Sequence, residues 1–221
     1  MQVLSEPVFA TLTAGGSHSC AIATTGGVSC WGLGTFGQLG TGSYANTAVP
    51  VGSDYLVTGI ASVEAGYNHT CAVSTAGGAR CWGYNYFGQL GNGTGTNSAV
   101  PVDVSGLTSG VASISAGANT SCAVTTGGSV RCWGHNYYGT LGNGTTTNSN
   151  VPVQVSGLTS GQVAVSVRGL HHGASLPQDF YGHACAYSSS KTVKCWGHNY
   201  YGQLGNGTNT NSTTPVAVSG F

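Results

Sequence analysis

Charge is what this chain of 221 residues has least of: five Lys and Arg, five Asp and Glu, and a formal net charge of zero. Charged side chains make up 5% of it, against roughly a quarter of an ordinary globular domain. Five scattered cations cannot assemble the basic surface that binds nucleic acid, and attraction to an anionic lipid surface fails on the same count. No apolar run approaches the roughly 18 residues that a membrane-spanning helix needs, so no membrane insertion is expected. A basic start followed by an apolar stretch is missing from Met1 to Pro7, so that segment does not read as a signal peptide. Capped helical periods are missing too. Glycine is abundant, 38 residues, but without the strict three-residue period of collagen. The valines, aromatics and eight cysteines can fill a core, which argues against disorder. Near-zero net charge removes the repulsion that keeps molecules apart and so favours association.

What is present is a repeat. Cys-Trp-Gly occurs at Cys30, Cys81, Cys132 and Cys195, in steps of 51, 51 and 63 residues, and uses all four tryptophans. Each copy runs into a Gly-rich stretch ending in Leu-Gly (LGTFGQLG, YNYFGQLG, HNYYGTLG, HNYYGQLG), then a Gly/Thr/Asn loop and a short apolar segment such as Pro152 to Val155. Within one unit, Val111 to Ala116, Thr120 to Thr125, Ser129 to Gly134 and Val151 to Val155 read as four strands, with Gly127-Gly128 as a turn. Four short strands per unit of about 50 residues is the pattern of a propeller blade. The expected fold is all-β, four units of four antiparallel strands in one propeller-like domain (residues 1–221), with repeats near 8–58, 59–109, 110–160 and 161–221.

The segment GGSHSCAIATTGGVSCWGLGTFGQLGTG resembles the repeat of the regulator of chromosome condensation family, in the cysteine-containing form found in bacterial surface and secreted proteins. The resemblance runs from Val8 to Val218. It implies a β-propeller of four-stranded blades, usually seven; this chain has four. The family's best-known activity, guanine nucleotide exchange on a small GTPase, is a lesser reading, because paired cysteines suit a different compartment.

The cysteines form four pairs ten residues apart: Cys20 with Cys30, Cys71 with Cys81, Cys122 with Cys132, and Cys185 with Cys195. One hairpin register places each pair face to face and sets Ile22 opposite Val28, Val73 opposite Ala79, Val124 opposite Val130 and Tyr187 opposite Val193. Opposed residues of a non-hydrogen-bonded pair come within disulfide range. Zinc prefers two to four residues between paired ligands, and free thiols do not explain strict pairing, so disulfides are expected. They imply an oxidising compartment, secreted or at a cell surface.

Other motifs carry less. Gly32 to Gly37 fits GxGxxG, but without the strand, helix and acidic residue of a dinucleotide site it reads as the repeat's turn. His18, His69 and His183 stand two residues before a first cysteine, where the third unit has Thr120; they read as structural groups bonding strand ends, because no carboxylate repeats with them. Asn68, Asn92, Asn119, Asn143, Asn206 and Asn211 are formal glycosylation sequons, and the Asn-Gly-Thr copies read as turns. No catalytic residue, metal site or cofactor is expected. The candidate ligand or interface residues are Tyr84, Tyr86, His135, Tyr137, His198 and Tyr200, whose rings could stack on sugars, with the neighbouring Asn supplying hydrogen bonds, or form an aromatic protein interface. The fourth unit is twelve residues longer, within Arg168 to Tyr181, and holds His171, His172 and Asp179; it reads as a docking loop.

The final segment, Pro215 to Phe221, matches the fourth strand that precedes a new unit, and Val8 to Leu12 matches the strand that follows one. The ends could therefore meet within one chain or between copies. The expected function is a non-enzymatic extracellular structural or adhesive protein that self-associates as an oligomer or filament. A carbohydrate-binding propeller, with a glycan as partner, is the alternative.

Overall fold

The computed structural model describes residues 8–171 and 180–220. Sixteen strands form four sheets, each a four-stranded antiparallel meander. The first blade holds β1 (Phe9–Ala14), β2 (His18–Ala23), β3 (Val28–Gly32) and β4 (Thr47–Gly52); the second holds β5 (Ile60–Ala65), β6 (His69–Ser74), β7 (Ala79–Gly83) and β8 (Ser98–Asp103). The third holds β9 (Val111–Ala116), β10 (Thr120–Thr125), β11 (Val130–Gly134) and β12 (Ser149–Gln154); the fourth holds β13 (Gln162–His171), β14 (Phe180–Ser188), β15 (Val193–Gly197) and β16 (Ser212–Ala217). The fold is all-β and propeller-like. The fourth strand of the third blade starts earlier than its apolar run, at Ser149, because Ser149 pairs with Gly134 beyond an irregularity at Trp133.

The central hairpins have the register that their spacing dictates: Cys20 faces Cys30, Cys71 faces Cys81, Cys122 faces Cys132 and Cys185 faces Cys195. Each pair is joined as a disulfide, at Cα separations of 4.1, 4.0, 4.1 and 4.0 Å in chain order. The extra residues of the fourth unit lengthen a hairpin at their flanks: Gly169 faces Gly182 and His171 faces Phe180. Those flanks are paired strand where a loop is the sequence reading. His172 and Asp179 lie outside the described residues.

The core lies between blades, not within them. A sheet has two faces, and here one carries the disulfide and the other the tryptophan. The disulfide face of the first blade, with Ile22, Val28 and Leu39, packs on Val63, Ala72 and Trp82 of the second. The same joint recurs between the second and third blades and between the third and fourth, closed by Trp133 and Trp196. The first strands of successive blades touch in series, so they line the inner side of an arc. Among the described residues no apolar cluster joins the fourth blade to the first, so the four blades do not close a ring within one chain.

Candidate functional site

Each joint between blades has a polar clasp beside its apolar core. Trp82 Nε1 donates to the main-chain oxygen of Gln38 at 2.9 Å, and Thr70 Oγ1 donates to the same oxygen at 2.8 Å. Trp133 Nε1 and Ser121 Oγ repeat this on Gln89 O, each at 2.9 Å, and Trp196 Nε1 reaches Thr140 O at 2.8 Å. With its proton committed to Gln38, the Thr70 hydroxyl accepts from His18 Nε2 at 2.8 Å; Ser121 likewise accepts from His69 Nε2 at 2.9 Å. These histidines thus bridge neighbouring blades instead of bonding their own strand ends. Their Nδ1 atoms are buried without a hydrogen-bond partner, so a second ring proton would have nowhere to donate. Burial pulls His18 down to about 4 and His69 down to about 3.

The loops after each tryptophan build an aromatic belt. In the second, third and fourth blades the Asn at the second position of the loop is buried and occupied: Asn85 Nδ2 donates to the oxygens of Thr94 and Thr96, both at 3.0 Å, and Leu90 N donates to Asn85 Oδ1 at 2.9 Å. Asn136 and Asn199 do the same in their blades. These amides hold the loop and are not open to a sugar. The next residue points outward: Tyr86 is 72% exposed, Tyr137 47% and Tyr200 68%. Tyr84, His135 and His198 turn inward and pack between blades, Tyr84 on Phe36 at 5.0 Å, His135 on Phe87 at 4.8 Å and His198 on Tyr138 at 4.8 Å. The six aromatic candidates therefore divide into three outward rings and three joint fillers. His171 ends β13.

Two faces of the arc are left open. On the first blade, Leu12 is 72% exposed, whereas its counterpart Val63 is 5% exposed inside a joint. Trp31 is half-buried while the other three tryptophans are fully buried. On the fourth blade, Tyr201 is 82% exposed where its counterpart Phe87 is 9%. Cys185, Tyr187, Val193 and Gln203 are half-buried on that same face. Sequence reading missed Leu12 and Tyr201, because the repeat gives them the same character as their buried counterparts.

Other expectations find simple places. Asn92 Oδ1 accepts from Thr94 N and Thr94 Oγ1, at 3.2 and 2.9 Å, so this sequon is a turn; Asn119 is buried. Arg80, just before the second cysteine of its hairpin, pairs with Asp103 at 2.7 Å on an exposed surface. Among the described residues no three His, Cys, Asp or Glu converge as a metal site.

Four-stranded sheets stacked face to face around an arc define a propeller-type repeat protein. The model of the regulator of chromosome condensation (RCC1) repeat matches residues 25–73, 77–124, 127–174 and 193–221, and this chain belongs to the RCC1 repeat family. It is 32% identical over 218 residues to the human E3 ubiquitin-protein ligase HERC2, covering 95% of this chain and 4% of that protein. It is 31% identical to the Arabidopsis thaliana ultraviolet-B receptor UVR8, covering 89% of this chain and 43% of the receptor. Yeast RCC1 (Prp20), solved with Kap60, superposes with a TM-score of 0.80 at 20% identity, covering 99% of this chain and 50% of that one. The chain thus spans half or less of these proteins.

Proposed function

We propose that this chain is a non-enzymatic structural or adhesive propeller segment of an oxidising, extracellular setting, secreted or on a cell surface, and that it self-associates through the open faces of its first and fourth blades. One observation carries the reading: a joint made three times inside the chain is left half-made on both outer faces. The fourth blade offers the disulfide side, with Cys185, Val193 and Tyr201, and the first blade offers the side that fills it, with Leu12 and Trp31. The occupant that fits each face is a blade of the same repeat, supplied by a second copy. Such a contact is head-to-tail; it closes as a ring if the rotation allows and otherwise extends as a filament. The four disulfides support the oxidising setting, and the uncharged surface opposes contact between copies very little.

Light scattering coupled to gel filtration, with electron microscopy of the same sample, tests this. The wild type is expected as an oligomer or filament, and Leu12→Asp as a folded monomer. Val63→Asp, at the equivalent buried position, is expected to unfold the chain. A wild type that stays monomeric at every concentration overturns the reading. Accelerated nucleotide release from a small GTPase would replace it with exchange activity.

A further inference from the structure

Two clefts on the arc are built from the same repeat positions. Between the second and third blades, Phe87, His135, Tyr137, Thr147 and Asn148 line a cleft of about 510 Å³. Between the third and fourth, Tyr138, His198, Tyr200 and Asn211 line one of about 940 Å³, widened by Tyr181 and Arg168. Phe87 and Tyr138, His135 and His198, Tyr137 and Tyr200, and Asn148 and Asn211 correspond across one repeat step.

The outward tyrosines are not joint residues. Tyr86, Tyr137 and Tyr200 are exposed in every blade that carries them, whether or not another blade follows. Tyr201 behaves differently, since its counterparts Phe36 and Tyr138 are half-buried and Phe87 is buried, each beside a following blade. Packing between blades therefore accounts for Tyr201 and not for the outward three. Each outward ring is braced at nearly a right angle by the next residue's ring, Tyr86 on Phe87 at 5.0 Å, Tyr137 on Tyr138 and Tyr200 on Tyr201 at 4.9 Å. A braced, exposed ring presents a flat apolar surface at little entropic cost.

Polar groups stand beside these rings. Asn148 Oδ1 accepts from Asn136 N at 2.8 Å and Asn211 Oδ1 from Asn199 N at 2.7 Å, which fixes both side chains; among the described residues their Nδ2 hydrogens are unengaged. Among the described lining residues Arg168 is the one charged side chain, and its Nη1 is bonded to Ala116 O at 2.9 Å. A flat ring with fixed amide and hydroxyl donors and almost no charge suits a neutral sugar ring, whose C–H face is apolar and whose rim is hydroxyl. Recurrence of the cleft at successive blades suits a ligand that itself repeats, because the second contact is then intramolecular.

We propose that the two clefts bind one neutral polysaccharide chain, with pyranose rings stacked on Tyr137 and on Tyr200. Tyr137 stands apart from the open faces, whereas the larger cleft borders the open face of the fourth blade, because Tyr201 and Gln203 also line it and Tyr201 braces Tyr200. The test uses affinity electrophoresis and calorimetry with soluble hydroxyethyl cellulose, a β-1,3-glucan and a mannan, and with alginate as a charged control. All are run on the wild type and on the monomeric Leu12→Asp. At least one neutral polymer is expected to bind both proteins and alginate neither. Tyr137→Ala and Tyr200→Ala should each weaken binding by about tenfold or more, the double variant should abolish it, and Tyr137→Phe should retain it, all with unchanged circular dichroism. Absence of binding by every neutral polymer, a preference for alginate, or undiminished binding by the folded double variant would overturn the proposal. Binding by the wild type but not by Leu12→Asp would overturn it in favour of a site created by association.

Discussion

Trp133 Nε1 lies 2.9 Å from the main-chain oxygen of Gln89 and donates to it across the boundary between the second and third blades. The apolar joint and the polar clasp thus meet in one side chain. The bond recurs from Trp82 to Gln38 and from Trp196 to Thr140. Trp31, in the first described blade, makes no such bond among the described residues.

Trp133→Ala is therefore expected to cost about 3–5 kcal/mol, the range for deleting a fully buried large aromatic. Trp31→Ala should cost about 1–2 kcal/mol, since that ring is only half-buried. The order reverses for assembly: Trp31→Ala should dissociate copies while leaving the fold intact. Denaturant midpoints and light scattering on the same two variants read both effects. Equal destabilisation by the two would mean that the blade boundary is not the main core.

Gly91 sits under that tryptophan at φ 68°, and a Cβ there would stand 2.7 Å from Trp133 Nε1. Gly93 has φ 82° but open space around it. Gly93→Ala should lose only the left-handed backbone penalty, about 1–2 kcal/mol. Gly91→Ala adds overpacking to that penalty, for a total of about 2–4 kcal/mol. Thermal melting of both variants separates conformation from contact.

The hairpins are legible because ten-residue cysteine spacing, around a Gly-Gly turn in the first three blades and Ser189-Ser190-Lys191 in the fourth, leaves one antiparallel pairing, and Val124 then falls opposite Val130. Period-two alternation also shows that each sheet has two apolar faces. It does not show which face of one blade meets which face of the next, so the joints and their clasps are features of the folded arc alone. Asn136 shows the same limit at the site. Its place in His-Asn-Tyr-Tyr suggested a group for a ligand, but its side chain closes its own loop onto Thr145 and Thr147. Leu12 shows it at the arc's edge, where exposure is set by what packs on that face and not by the residue type.

Acid should weaken the fold through His18 and His69. Unfolded rings take a proton as pH falls through about 6.5, whereas the folded rings resist down to about 4 and about 3. More protons are bound unfolded in that window, so stability is full above it and falls as pH drops from about 6.5 towards 4. The slope is about 1.4 kcal/mol per pH unit for each ring. Burial raises the carboxyl of Glu64, which works the other way and offsets part of the loss. Denaturation of the wild type across this window should show the slope, and His69→Gln should lower it. A wild type equally stable at pH 4 and 7 would contradict the clasp.

Seven of the eight cysteines are almost completely buried, but Cys185 lies half-buried on the open face of the fourth blade. Mild reductant should therefore open Cys185–Cys195 first, with the other three bridges following only when the blades loosen. Each bridge spans ten residues, a loop for which chain entropy supplies about 2–3 kcal/mol. One reduced bridge should thus lower the melting temperature without unfolding the arc. Association covers the same face, so Cys185 should be slower to react in concentrated wild type than in Leu12→Asp at equal concentration. Alkylation after timed reduction, with mapping of the labelled cysteines by mass, reads both orders at once. Uniform labelling of all eight cysteines from the first time point would show that burial between blades does not govern their access. Equal Cys185 rates in wild type and Leu12→Asp would separate that face from the contact between copies.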